Sequence, residues 1–133
     1  QMSIRDRLKM VGMDDSQDRA PHHLSFGQKR KVAIATVLAS KPKLLVLDEP
    51  ASNLDPASRR DLIEILINLD ISIILVTHDL PMALEICERS LILNEGTVKE
   101  DSLTKAILQN EQLMKENRLE LPYGFALHHL GEE

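Results

Sequence analysis

"KLLVLDEP", residues Lys43 to Pro50, sets four apolar residues between a lysine and two acids, and a proline closes the run. A continuous apolar stretch this short is the pattern of a strand buried on both faces, as in the middle of a parallel sheet. Pro50 has no N–H to offer a ladder, so Asp48 and Glu49 are expected at the C-terminal end of the strand. Downstream, "SIILVTHD" (Ser72 to Asp79) repeats the form, an apolar strand ending in a polar cluster. Between the two, Asp55 and Pro56 make an N-cap and N1 pair. They open a helix whose apolar face is Leu62, Ile63, Ile65, Leu66 and Leu69. Strand, helix, strand is a βαβ unit, which predicts an α/β fold with a largely parallel sheet and flanking helices.

Working outward, Ser3 to Val11 reads as a short helix stopped by Gly12, and Met13 to His23 as a polar loop. A further helix is predicted from Gln28 to Ser40, apolar on most sides between Val32 and Ala39 and therefore well buried. Its entry, "LSFGQKRKVAIA" (Leu24 to Ala35), has Ser25 followed three positions later by Gln28, the form of a capping box. A helix N-terminus of this kind is also an anion site, because its first N–H groups lack partners. On the C-terminal side, Asp79 to Glu88 reads as a helix, and "LILNEGTVKE" as two strands joined at Asn94 to Gly96. Ser102 to Glu120 looks helical, and "LPYGFALHHLGEE" shows no clear period.

Length and composition bound the function. The 133 residues suit one domain or part of one, and the 43% hydrophobic and 28% charged content is that of an ordered globular protein. A net charge of −5 gives no general attraction to nucleic acid or anionic lipid, and three aromatic residues cannot build a base-stacking platform. Nucleic acid is therefore not an expected partner, and the basic run Lys29 to Lys31 reads as a solvated or phosphate-facing helix turn. One cysteine, Cys87, excludes an intrachain disulfide and fits a reducing compartment. No apolar run approaches the roughly 18 residues that cross a bilayer, and the N-terminus has no signal-peptide pattern. A cytoplasmic chain is expected. Adjacent histidines at His22, His23, His128 and His129 do not make a metal site.

In an open parallel sheet, ligands sit outside the C-terminal ends of the strands. That rule gathers Asp48, Glu49, Thr77, His78 and Asp79 along one edge. One of two adjacent carboxylates can face Mg²⁺ while the other faces a water to be activated, and a histidine nearby can reach a γ-phosphate. This is equipment for nucleoside triphosphate hydrolysis, in which positioning and charge stabilisation do most of the catalysis. Taken singly, each motif has an ordinary structural reading as a strand exit, a cap or a loop residue. Their order and spacing decide for the chemical one.

The sequence resembles the ATP-binding-cassette (ABC) ATPases. "LSFGQ" is similar to their LSGGQ signature, "LLVLDEP" to their Walker B segment with its catalytic glutamate, "SNLD" to their D-loop and "VTHD" to their switch-histidine segment. The match runs from about Ser3 to Glu100 in the family's order. "RAPHHLSFGQKRKVAIATVLASKPKLLVLDEPASNLDP" and "ENRLELPYG" look most like the ATPases of cobalt, nickel and energy-coupling-factor transporters. The resemblance implies the C-terminal part of a P-loop NTPase (RecA-like) fold. Residues 1–40 would be part of the helical signature subdomain, 41–100 the Walker B, D-loop and H-loop part of the core, and 101–133 a helical tail. It also implies roles. Asp48 would organise Mg²⁺, Glu49 would be the general base, and His78 would contact the γ-phosphate. Ser25, Phe26, Gly27 and Gln28 would meet the γ-phosphate of ATP held by a second ATPase subunit or copy in a head-to-tail dimer, and Asp55 would couple the two sites. A transmembrane transporter subunit is the other implied partner, with the ATPase peripheral on the inner face of the membrane.

The Walker A half is missing from the match. Its loop needs two glycines five positions apart, and no pair among Gly12, Gly27, Gly96, Gly124 and Gly131 has that separation. The adenine-stacking region and glutamine loop are absent as well. The chain alone is therefore expected neither to bind ATP tightly nor to hydrolyse it usefully. The alternative is a non-catalytic binding or regulatory module acting on a complete ATPase. Phe26 stands where the family usually has glycine, and a side chain turned into the helical subdomain is the favoured placement. In the family the Walker A strand lies between the strand ending at Val76 and the one near Ser90 to Asn94. Those two strands would expose unpaired edges here.

Overall fold

Short polar side chains fix where the helices of this protein begin. A computed structural model describes residues 3–13, 15, 21–123 and 125. It divides into two units, Gln1–Val76 and Thr77–Glu133. In the first, helix α1 (Ile4–Met10) opens on a capping box. The Asp6 N–H donates to Ser3 Oγ at 3.1 Å, and the Ser3 N–H donates to Asp6 Oδ2 at 2.9 Å. Gly12, at φ +68°, ends the helix in the left-handed conformation that glycine adopts without steric cost.

Helix α2 (Phe26–Leu38) follows a short 3₁₀ turn at Pro21–His23. Then come strand β1 (Leu44–Asp48), helix α3 (Pro56–Ile67) and strand β2 (Ser72–Val76). The strands pair in parallel, with Leu44 opposite Ser72 and Asp48 opposite Val76. This is the expected βαβ unit. Helix α1 packs on α2, and α2 on α3. The best-buried side chains of the unit include Val11, Leu62, Ile63 and Leu66.

Burial departs from the sequence expectation in two places. Leu45 is 3% exposed, but Val46 is 60% exposed, and Leu44, Ile74 and Val76 stand about half open beside it. One face of the strand pair is covered and the other, though equally apolar, is bare. Helix α2 likewise buries one stripe, Gly27, Ile34, Ala35 and Leu38, and leaves Val37 exposed. Apolar content shows that a surface favours burial, and the neighbours present decide whether it is covered.

The second unit begins with helix α4 (Leu80–Ile86), capped by Asp79, whose Oδ1 accepts from the Met82 N–H at 3.0 Å. Strands β3 (Arg89–Asn94) and β4 (Thr97–Leu103) form an antiparallel hairpin. Glu95 and Gly96 both have positive φ, the requirement of the tight turn that matches strand twist. The sheet is therefore not one largely parallel array. The described residues form two separate pairs, β1 with β2 and β3 with β4. The helix predicted over Ser102 to Glu120 is also corrected. Strand β4 runs to Leu103, and two short helices follow, α5 (Thr104–Gln109) and α6 (Glu111–Glu116). Asn110 breaks them apart, because its side chain accepts from the Leu113 N–H and starts a new helix. Thr104 fixes the other end, donating its buried hydroxyl to the Cys87 carbonyl at 2.6 Å. Ile92, Ile107, Leu108 and Met114 form the core of this unit. No helix among the described residues is long and apolar enough to cross a membrane.

Candidate functional site

Strand β1 delivers the two acids in different backbone settings. Asp48 is the last strand residue and is exposed. Glu49 is half-buried and lies at φ +44°, a left-handed conformation that costs an L-residue about 1–2 kcal/mol. Its N–H nonetheless donates to the Val76 carbonyl at 2.8 Å, extending the ladder one step past the strand. Strain of this kind at a strand's C-terminal end is typical of functional positions, where the surrounding structure must hold it in place.

The segment from Leu24 to Gln28 forms the capping box that its spacing predicts. The Gln28 N–H donates to Ser25 Oγ at 3.2 Å, and the Ser25 N–H donates to Gln28 Oε1 at 2.9 Å. The box satisfies the Ser25 and Gln28 N–H groups, and Phe26 and Gly27 occupy the first two helix positions, whose N–H groups have no intrahelical acceptor. Phe26 is 66% exposed, so its ring is not sunk into the helical layer; at the first position of α2 it projects towards solvent. Gly27 is buried against α3: a Cβ placed there would lie 2.6 Å from Ser58 Oγ.

Asp55 caps α3 through both carboxylate oxygens. Ser58 Oγ donates to Oδ1 at 2.6 Å, and the Ser58 N–H donates to Oδ2 at 3.2 Å. These two bonds, the hydroxyl's the larger effect, hold the Asp55 carboxyl below its ordinary range. The first unit thus contains Ser25, Phe26, Gly27, Gln28, Asp48, Glu49 and Asp55. His78 belongs to the second unit, where it is exposed and stands next to the cap residue Asp79. The Asp79 N–H in turn donates to Thr77 Oγ1 at 3.0 Å.

Three contributors escape a reading of the sequence alone. Arg30 donates to the Ser52 carbonyl at 3.3 Å, and Lys31 pairs with Asp61 at 2.7 Å. Two of the three residues in the basic run are therefore structural ties between α2 and the segment around α3. Ser58 is the third; the D-x-x-S spacing from Asp55 carried the signal for its hydrogen bonds, but nothing local pointed to Gly27. Cys87 is half-buried, and burial pushes its thiol up, as suits a small packing residue. Among the described residues, no three acids, histidines or cysteines cluster to hold a metal.

Residues 3–85 match the family model described as "AAA domain, putative AbiEii toxin, Type IV TA system". A "Putative ABC transporter ATP-binding protein" of Streptomyces coelicolor is 60% identical over 118 residues, which are 89% of this chain and 45% of the relative. The "Energy-coupling factor transporter ATP-binding protein EcfA" of Carboxydothermus hydrogenoformans is 43% identical over 122 residues, 90% of this chain and 45% of its own. Among solved structures, CbiO1 of Clostridium perfringens, described as part of the ABC transporter complex CbiONQ, is similar at a TM-score of 0.74 and 35% identity. That likeness covers 90% of this chain and 49% of CbiO1. The chain spans about half the length of the curated relatives it matches. Motif order, a parallel strand pair ending in paired acids, and these relatives agree: the chain belongs to the ABC transporter ATP-binding proteins, with the P-loop NTPase fold, and spans about half the length of one.

Proposed function

We propose that this chain is the signature and Walker B half of an ATPase that powers a cobalt-type or energy-coupling-factor-type importer. In this reading Glu49 takes the proton of the attacking water, His78 contacts the γ-phosphate, and Asp48 faces Mg²⁺. The signature residues Ser25, Phe26, Gly27 and Gln28 act on a nucleotide whose phosphates are gripped by a Walker A loop on a second ATPase subunit. Asp55 couples the two sites, and a transmembrane subunit receives the motion. The observation that carries the reading is the pair Asp48 and Glu49 at the end of a parallel strand, with Glu49 held in a left-handed conformation.

The donor set suits Mg²⁺. A hard, exposed carboxylate at a strand end suits a nucleotide-borne Mg²⁺, whose octahedron phosphate oxygens and water complete. Bound there, the cation would offset phosphate charge. What this chain contributes is orientation: an exposed acid for the ion, a half-buried one for the water, and two helix-start amides for the phosphate.

Calorimetric titration of Mg-ATP tests the reading, first into the chain alone and then into its mixture with a hydrolysis-deficient complete relative. No heat is expected from the chain alone, because the phosphate-cradling loop supplies most of the grip. Binding is expected to strengthen in the mixture. No strengthening sinks the proposal, as does Mg²⁺-dependent turnover by the chain alone that Glu49→Gln abolishes.

A further inference from the structure

We propose that Gly27 and Ser58 form a joint that locks the start of the signature helix to the start of α3, which makes Ser58 a positioning residue for the Phe26 and Gly27 amides. The role rests on the nucleotide reading above, although the joint itself can be tested without it.

Gly27 lies within α2 at a backbone conformation open to any residue, so chain flexibility does not explain the glycine. Space does. A Cβ at that position would lie 2.6 Å from Ser58 Oγ and 2.8 Å from Ser58 Cβ, closer than packed atoms approach. Ser58 is not free to retreat, because its hydroxyl and its N–H are both held by Asp55. The atom that fills the space beside Gly27 is therefore the same one that orients the Asp55 carboxylate.

Two further ties act on the same side of α2. Arg30 donates to the Ser52 carbonyl, and Lys31, with a side chain only 16% exposed, pairs with Asp61. Positions 27, 30 and 31 are spaced by three and four, so they share one helix face. That face grips the chain at Ser52, Ser58 and Asp61, on both sides of Asp55. A movement of Asp55 is consequently delivered to the signature amides through packed and hydrogen-bonded contacts, with Ser58 at the point of closest approach.

The test is a substitution cycle on the full chain with Gly27→Ala, Ser58→Gly and the double variant. It is read by ¹⁵N amide spectra and by Mg-ATP affinity in the mixture with the hydrolysis-deficient relative. Gly27→Ala is expected to shift the amides of Ser52, Asp55 and Ser58, across the contact, and to weaken affinity in the mixture roughly tenfold. Ser58→Gly clears both clashing atoms, so in that background most of the effect of Gly27→Ala should be recovered, the double variant matching Ser58→Gly alone in affinity and in the positions of the Ser52 and Asp55 amides. A substitution that merely destabilised α2 would show no such recovery. Strictly additive effects, or an Asp55 amide unmoved by Gly27→Ala, overturn the joint. Should Gly27→Ala fail to fold, folding of the double variant is the same recovery, and failure of both leaves Ser58→Ala to decide. That variant is expected to move the Phe26 and Gly27 amides, and if they stay in place the joint is overturned. A wild-type mixture that binds no nucleotide counts against the proposed function alone, while the spectra still decide the joint.

Discussion

At the residue scale, two helix starts in the first unit combine fold and chemistry. Ser25 exchanges hydrogen bonds with Gln28, so Ser25→Ala is expected to cost about 1 kcal/mol of stability in denaturant titration, the usual worth of an N-cap. Asp55 offers a test by pH. Ser58 holds its carboxyl below the ordinary value, so the folded state gains from this group above the unfolded carboxylate range. That gain is lost as pH falls through the lowered folded value. Acid unfolding of Asp55→Asn should lack this part of the pH dependence, and in Ser58→Ala the Asp55 carbon resonances should titrate at a higher pH. An Asp55 that titrates at its ordinary value in the parent chain would sink this account. Both caps were legible from spacing alone. The left-handed Glu49 was not, because an acid before a proline gives no local signal for positive φ.

The elements show where sequence reading stops. Strands β1 and β2, helix α3 and the hairpin turn at Glu95 and Gly96 were readable, because cap, turn and apolar period act within a few residues. Cover was not readable. Leu45 and Val46 are both apolar neighbours in one strand, yet only Leu45 is buried, since burial is decided by whatever packs on each face. The helical tail failed for a related reason: Asn110 is a weak helix residue but a strong cap, and the cap prevails. Helix α3 holds the best-covered side chains of the first unit. Ile63, fully buried, should cost about 2–5 kcal/mol when truncated to Ala, measured by chemical unfolding. Val46→Thr should cost under about 0.5 kcal/mol, as an exposed position does.

For the whole molecule, the open apolar surfaces set the behaviour. Leu44, Val46, Ile74 and Val76 line one bare strand face, and Leu91, Leu93, Val98 and Leu103 are also exposed on β3 and β4. Exposed apolar strand residues of this kind favour association over a free monomer. Sedimentation velocity of the chain alone should show mass rising with concentration, and Val46→Lys with Ile74→Lys should suppress it. A monomer at all concentrations would rule this out.

The pairing of β1 with β2 has a consequence for how the first unit forms. Leu44 meets Ser72 and Asp48 meets Val76 across a single intervening helix, so parallel pairing here needs no distant part of the chain. Parallel strands usually fold slowly because their partners must be found across long loops. Here the search is short, and the stretch from Leu44 to Val76 is a natural nucleus. Weakening α3 should then slow folding more than it speeds unfolding. The acids of the candidate site, at the end of this pairing, would be among the first groups brought into place.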